Sequence, residues 1–105
     1  SKEPEAAARY AKIAKFINLP GTTDQELTDA LIARIREMNK ELDIPTCIRD
    51  YEGGIIDEKE FMDKLPAVAE LAVGDACTGS NPRSITPAQM EKLLTCCFYD
   101  EEVTF

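Results

Sequence analysis

Four cysteines, twenty acidic residues and no histidine set the chemistry this chain can carry. A catalyst near neutral pH needs groups that move protons, hold charge or bind a metal. The lack of histidine removes the commonest general base and the commonest metal ligand. Cys47, Cys77, Cys96 and Cys97 contain no Cys-x-x-Cys pair, so they lack the spacing of a zinc site. Cys96 and Cys97 are neighbours on an expected helix and point to different faces. The chain is not a small loop-rich secreted frame, so reduced thiols are expected. The carboxylates Asp24, Glu26, Asp57, Glu58 and Glu60 fall at expected helix starts, where capping and the helix dipole account for them. Asp29, Glu37 and Glu41 belong to the outer, solvated face of the longest expected helix.

Cys77 stands apart. It follows an apolar helix and lies in the string Asp75-Ala76-Cys77-Thr78-Gly79-Ser80-Asn81-Pro82, closed by Arg83, which no helical periodicity requires. Its thiol can face a cleft, or it can be a small hydrophobe buried at a helix C-terminus, the more ordinary role of a lone cysteine. A nucleophilic thiol would want a neighbouring base, and the string supplies none. Arg83 can bind a phosphate, or tie the loop to Asp75 or to the preceding carbonyls. Asn81-Pro82 is a turn signal, because proline disfavours helix at the residue before it. Gly21 and Gly79 are expected to serve unusual backbone angles. Gly53-Gly54 has no phosphate-loop context, since no strand precedes it and no Lys-Ser/Thr follows.

The elements that position this string are helical. Ala7, Tyr10, Ala11, Ala14 and Ile17 recur at three- and four-residue steps and predict a helix over 5–17, stopped by Asn18-Leu19-Pro20-Gly21. Thr23-Asp24-Gln25-Glu26 reads as a capping box opening a helix to about Leu42, with an apolar stripe of Leu27, Leu31, Ile35, Met38 and Leu42. Thr46 to Tyr51 is expected to form a short helical turn before the Gly53-Gly54 break. Asp57 caps a short helix at about 58–64. Pro66, favoured at a first helical position, then predicts a separate helix at about 66–76, apolar nearly all round and buried on most sides. Thr86-Pro87-Ala88-Gln89 caps the last helix, which carries Met90, Leu93, Leu94, Cys97 and Phe98. The fold class expected is all-α: a bundle of about five helices forming one domain over 1–105.

The net charge of −8 opposes nucleic acid or anionic membranes as partners, since both demand basic patches. No apolar run approaches the ~20 residues that span a bilayer, and no signal peptide is read ahead of the first helix. A cytoplasmic protein is expected.

The Asp-x-Cys-Thr-x-x-Asn-Pro-Arg string resembles the C-terminal signature of the iron-dependent (group III) alcohol dehydrogenases. The resemblance extends along the chain in order: Arg9-Tyr10-Ala11-Lys12-Ile13-Ala14, Leu42-Asp43-Ile44-Pro45-Thr46, Ile56-Asp57-Glu58 through Phe61, and Ala72 to Arg83. The ending Phe98-Tyr99-Asp100 is similar to the alcohol dehydrogenase half of bifunctional aldehyde–alcohol dehydrogenases. Departures are Asp43, where the family usually has Gly, and the insertion-like Tyr51-Glu52-Gly53-Gly54. The resemblance implies the C-terminal part of a dehydroquinate synthase-like helical, metal-binding domain. It further implies NAD(P)-linked interconversion of aldehydes and primary alcohols, with Fe(II) or Zn polarising the carbonyl. The dinucleotide domain and the metal ligands, an Asp and three His, would lie upstream. No catalytic, cofactor-binding or metal residue is therefore carried over; only Cys77 is implied to lie near the active-site cleft. The chain is expected to be a segment of a larger enzyme, inactive alone, with the rest of the parent dehydrogenase as partner. Self-association through Pro66–Ala76 or Pro87–Phe98 is also expected. The alternative is a free-standing helical interaction module without catalysis.

Overall fold

A computed structural model describes residues 3–105, and every regular element in them is helical. Four α-helices, α1 (Pro4–Phe16), α2 (Asp24–Glu41), α3 (Glu58–Gly74) and α4 (Pro87–Tyr99), are joined by loops carrying two 3-10 turns, Ile48–Gly53 and Thr78–Ser80. The chain divides into two compact units, one ending at Ile44 and one spanning Pro45–Phe105.

The first unit is the pair α1 and α2. Thr23 opens α2 as its sequence requires: the Glu26 amide donates to Thr23 Oγ1 at 3.2 Å, and Glu26 Oε2 accepts from the Thr23 amide at 3.1 Å. Thr22 adds its amide and hydroxyl to the same carboxylate, each at 2.8 Å. Three donors hold the Glu26 carboxyl down from its usual 4.5 to about 2, the Thr22 amide contributing most. At the other end of α1, Asn18 takes a left-handed angle, and Leu19 donates back to the Ala14 carbonyl at 2.9 Å. That closure turns Leu19 onto the core of Ala11, Ala14 and Leu27. Gly21 follows with φ of 145°, and a Cβ there would sit 3.0 Å from the Leu27 amide nitrogen, so the tight approach of the loop to α2 needs glycine. Asp43, where the resembled family usually has Gly, is likewise left-handed at φ 54°, and Ile44 donates to the Asn39 carbonyl. Asp tolerates that conformation better than most residues, which explains how the departure is accommodated.

The apolar stripe of α2 is only partly covered. Leu27 is buried and Leu31 half-buried, but Ile35, Met38 and Leu42 are exposed. On α1 the buried positions are the small Ala11 and Ala14, while Tyr10 and Ile17 of the expected apolar face are exposed. Alanines bring two helices close but leave little bulk to cover long side chains on either flank.

The second unit pairs α3 with α4. Leu65, Ala69 and Phe98 are buried, and the Phe61 and Phe98 rings lie 4.5 Å apart. The all-α reading holds, but the helix break expected at Pro66 does not occur: α3 runs unbroken through it from Glu58 to Gly74. Proline removes one backbone bond, to the Met62 carbonyl, at a cost of about 3 kcal/mol in a helix interior. Pro66 itself is exposed, while Leu65 and Ala69 on the same helix are buried. Their burial outweighs the lost bond. The expectation of a helix buried on most sides is also corrected, since Val68 and Leu71 are exposed. Thr46 to Tyr51 was expected as one turn; the 3-10 turn runs from Ile48 to Gly53 and ends with Glu52, Gly53 and Gly54 all at positive φ.

Candidate functional site: the loop after α3

The Asp75–Arg83 loop is built from its own side chains. Asp75 ends α3 in an extended conformation, and its Oδ1 accepts from the Cys77 amide at 2.8 Å. Thr78 reaches back with its hydroxyl to the Ala72 carbonyl at 2.6 Å, satisfying one of the orphan acceptors at the helix end. Its amide donates to the Asp75 carbonyl at 3.1 Å. The Ser80 hydroxyl and amide both donate to the Cys77 carbonyl, at 2.7 and 3.2 Å, and the Asn81 amide donates to Thr78 at 3.1 Å. The side chains of Asp75, Thr78 and Ser80 thus each fix nearby backbone. Gly79 has no left-handed angle, and a Cβ there would meet open space, so the unusual conformation expected of it is absent.

Within this frame Cys77 is exposed, which overturns its reading as a buried hydrophobe at a helix end. The Asp75 carboxylate beside it is committed to a backbone amide. Among the described residues no hydrogen bond joins the Cys77 thiol to a base. Arg83 binds neither Asp75 nor the preceding carbonyls. Its Nη1 donates to the main-chain oxygen of Phe105 at 2.6 Å, and with Asn81, Ile85, Leu93 and Val103 it lines a recess of about 160 Å³ that Cys77 does not enter. Phe105 also lies under the Lys92 ammonium, 5.9 Å from its ring centroid.

Thr86 then caps α4 reciprocally with Gln89, through bonds of 3.0 and 3.3 Å. At the far end of α4, the Tyr99 hydroxyl donates to Glu58 Oε1 at 2.6 Å, a bond that raises the tyrosine pKa above its usual value. Neither this bond nor the one from Arg83 to Phe105 was anticipated, because no local signal in sequence marks pairs 41 and 22 positions apart.

A family model for the Fe-containing alcohol dehydrogenases, C-terminal part, matches residues 1–98. The chain belongs to this family. An NADPH-dependent butanol dehydrogenase of Clostridium saccharobutylicum is 48% identical over 97 residues, which are 92% of this chain and 24% of that protein. An aldehyde-alcohol dehydrogenase of Clostridium acetobutylicum is 42% identical over 97 residues, and the bifunctional aldehyde-alcohol dehydrogenase of Escherichia coli is 33% identical over 101. Both alignments cover over nine-tenths of this chain and 11% of the relative. The chain therefore spans a quarter or less of these three relatives, and it matches the C-terminal part of the Fe-containing alcohol dehydrogenase family.

The metal implied by that family has no fitting donor set here. Among the described residues no group of three or more His, Cys, Asp or Glu could hold an ion. No helix among them is long and apolar enough to cross a membrane. The loop from Asp75 to Arg83 leaves Cys77 exposed and ties Arg83 to the main-chain oxygen of Phe105.

Proposed function

We propose that this chain serves as the C-terminal helical segment of an NAD(P)-linked dehydrogenase that interconverts aldehydes and primary alcohols in the cytoplasm. The match to the Fe-containing family over residues 1–98 carries the reading. The name of the butanol dehydrogenase relative favours a small aliphatic primary alcohol as substrate class. In this reading the Fe(II) or Zn ion and the dinucleotide are held by residues outside the chain, and the chain alone is inactive. The loop from Asp75 to Arg83 borders the reaction cleft of the assembled enzyme, with the exposed Cys77 side chain lining it. Local hydrogen bonding supports a wall rather than a catalyst: the Asp75, Thr78 and Ser80 side chains are spent on the loop's own backbone and Arg83 on Phe105.

Metal analysis after dialysis against Fe(II) and Zn(II), paired with butyraldehyde reduction followed through NADH and NADPH absorbance, tests the reading. The expected result is no stoichiometric metal and no turnover by the isolated chain. Turnover with one bound metal per chain would overturn it.

A further inference from the structure

Arg83 is half-buried and, among the described residues, makes one hydrogen bond, from Nη1 to the main-chain oxygen of Phe105 at 2.6 Å. A guanidinium presents a planar fork of N–H donors suited to a two-oxygen acceptor, so a single carbonyl leaves most of it unspent. It borders the recess of about 160 Å³ between the loop and α4, walled by the apolar side chains of Ile85, Leu93, Val103 and Phe105. Arg83 is the one charged side chain among the described residues of that lining. The wall made by Val103 and Phe105 is loosely held. The tail has no regular structure, Val103 is 48% exposed and Thr104 is exposed. Besides the bond from Arg83, Phe105 has its ring beneath the Lys92 ammonium at 5.9 Å, near the outer limit of such contacts. Segments with so few buried contacts open at small free-energy cost.

We infer that Val103–Phe105 is a displaceable strap masking a carboxylate site, in which Arg83 pairs with the head group while Ile85 and Leu93 receive a short aliphatic chain. The strap's own contacts show the chemistry: an oxygen acceptor on Arg83, beside apolar groups in the recess. A free carboxylate meets the guanidinium with two oxygens and a full charge, a stronger acceptor than one carbonyl. The lining favours a monoanion over phosphate. A second negative charge would find no further cation there, and the net charge of −8 would repel it. The recess is well below the ~300–1,000 Å³ of pockets for drug-sized ligands, which limits the chain to a few carbons. Cys77 does not enter this recess, and the inference stands independently of the activity proposed above.

The experiment compares the full chain with a chain shortened to residues 1–102. Residues 103–105 lie beyond the family match, and the shortened chain keeps the bond from the Glu101 amide to the Cys96 carbonyl that closes α4. Each is titrated with sodium butyrate and, in a separate arm at matched ionic strength, with inorganic phosphate, binding being read from amide chemical shifts. The shortened chain should bind butyrate about ten-fold more tightly than the full chain, the ratio expected if the strap stands open about a tenth of the time. The shifts should fall at Ser84, Ile85 and Leu93, and phosphate should bind more weakly. Arg83→Gln in the shortened chain should abolish butyrate binding, without the loss of stability that follows from breaking the strap. Equal butyrate affinity of full and shortened chains would overturn the masking. Butyrate binding that survives Arg83→Gln, or is absent from a shortened chain of normal helix content, would overturn the site. Phosphate binding as tight as butyrate would overturn the ligand class. Should the shortened chain lose helix content, Phe105→Ala in the full-length chain carries the same comparison, with butyrate affinity expected to rise about three-fold; no rise would overturn the strap.

Discussion

Arg83 donates to the main-chain oxygen of Phe105 at 2.6 Å, joining the loop after α3 to the end of the chain. The bond fixes the last position of the Asn-Pro-Arg turn, where the loop's own hydrogen bonds have run out, since Asn81 closes the last of the local turns. Arg83→Ala should cost about 1.5 kcal/mol, the lower end of the range for a charged donor, because Arg83 is only half-buried. Hydrogen exchange should quicken around residues 83–85 and 103–105 and stay unchanged at Thr78, whose hydroxyl is anchored on Ala72. Uniform exchange across all these segments would show that the bond does not hold the tail.

Leu27 and Leu31 lie one turn apart on the same stripe but are not equivalent. Leu27→Ala should cost about 2–5 kcal/mol because the side chain is wholly buried between the helices. Leu31→Ala, half-buried, should cost less, about 1–2 kcal/mol. Thr23→Ala should cost about 1 kcal/mol through the lost cap. Urea melts should rank Leu27 above both.

The capping carboxylate of Glu26 makes the first unit sensitive to acid. Its pKa in the folded chain is held at about 2, below the usual 4.5, so folding favours the ionised form. The contribution is fully present above about pH 4.5 and is lost as pH falls from there through about 2. Other carboxylates titrate in the same range, so the comparison is with Glu26→Gln. The difference in melting temperature between wild type and Glu26→Gln should be constant above pH 5 and shrink toward pH 2. A difference that grows on acidification would reverse the sign and exclude the cap as its source.

The thiols should separate by environment. Cys77 is exposed and should alkylate first, while the buried Cys47 should react only on unfolding. Cys97 is exposed as well, but partial desolvation raises its thiol pKa, the neighbouring Cys96 adding to it, so Cys97 should lag behind Cys77 near neutral pH. Peptide mass spectrometry after timed iodoacetamide treatment gives the order. Early labelling of Cys47 would contradict the packing of the Ile48–Gly53 turn.

Helix starts and the family were legible in the residues themselves. Thr23 with Glu26, Asp57 with the Glu60 amide, and Thr86 with Gln89 each complete their bonds within three positions, so nothing distant is needed to form them. The Asp75–Arg83 string likewise closes on itself through Asp75, Thr78 and Ser80, which is why it reads as a unit. Tertiary structure decided what depends on distant groups. Pro66 is a plausible helix start by local rules, and only the burial of Leu65 and Ala69 keeps α3 continuous through it. Periodicity marks Leu27, Leu31, Ile35, Met38 and Leu42 as one face, yet it carries no information about how far along that face a neighbour extends. The exposure of Cys77 and the bond from Arg83 to Phe105 follow the same logic. A side chain's type and spacing determine the direction it takes, while its burial is determined by whatever the rest of the chain places opposite it.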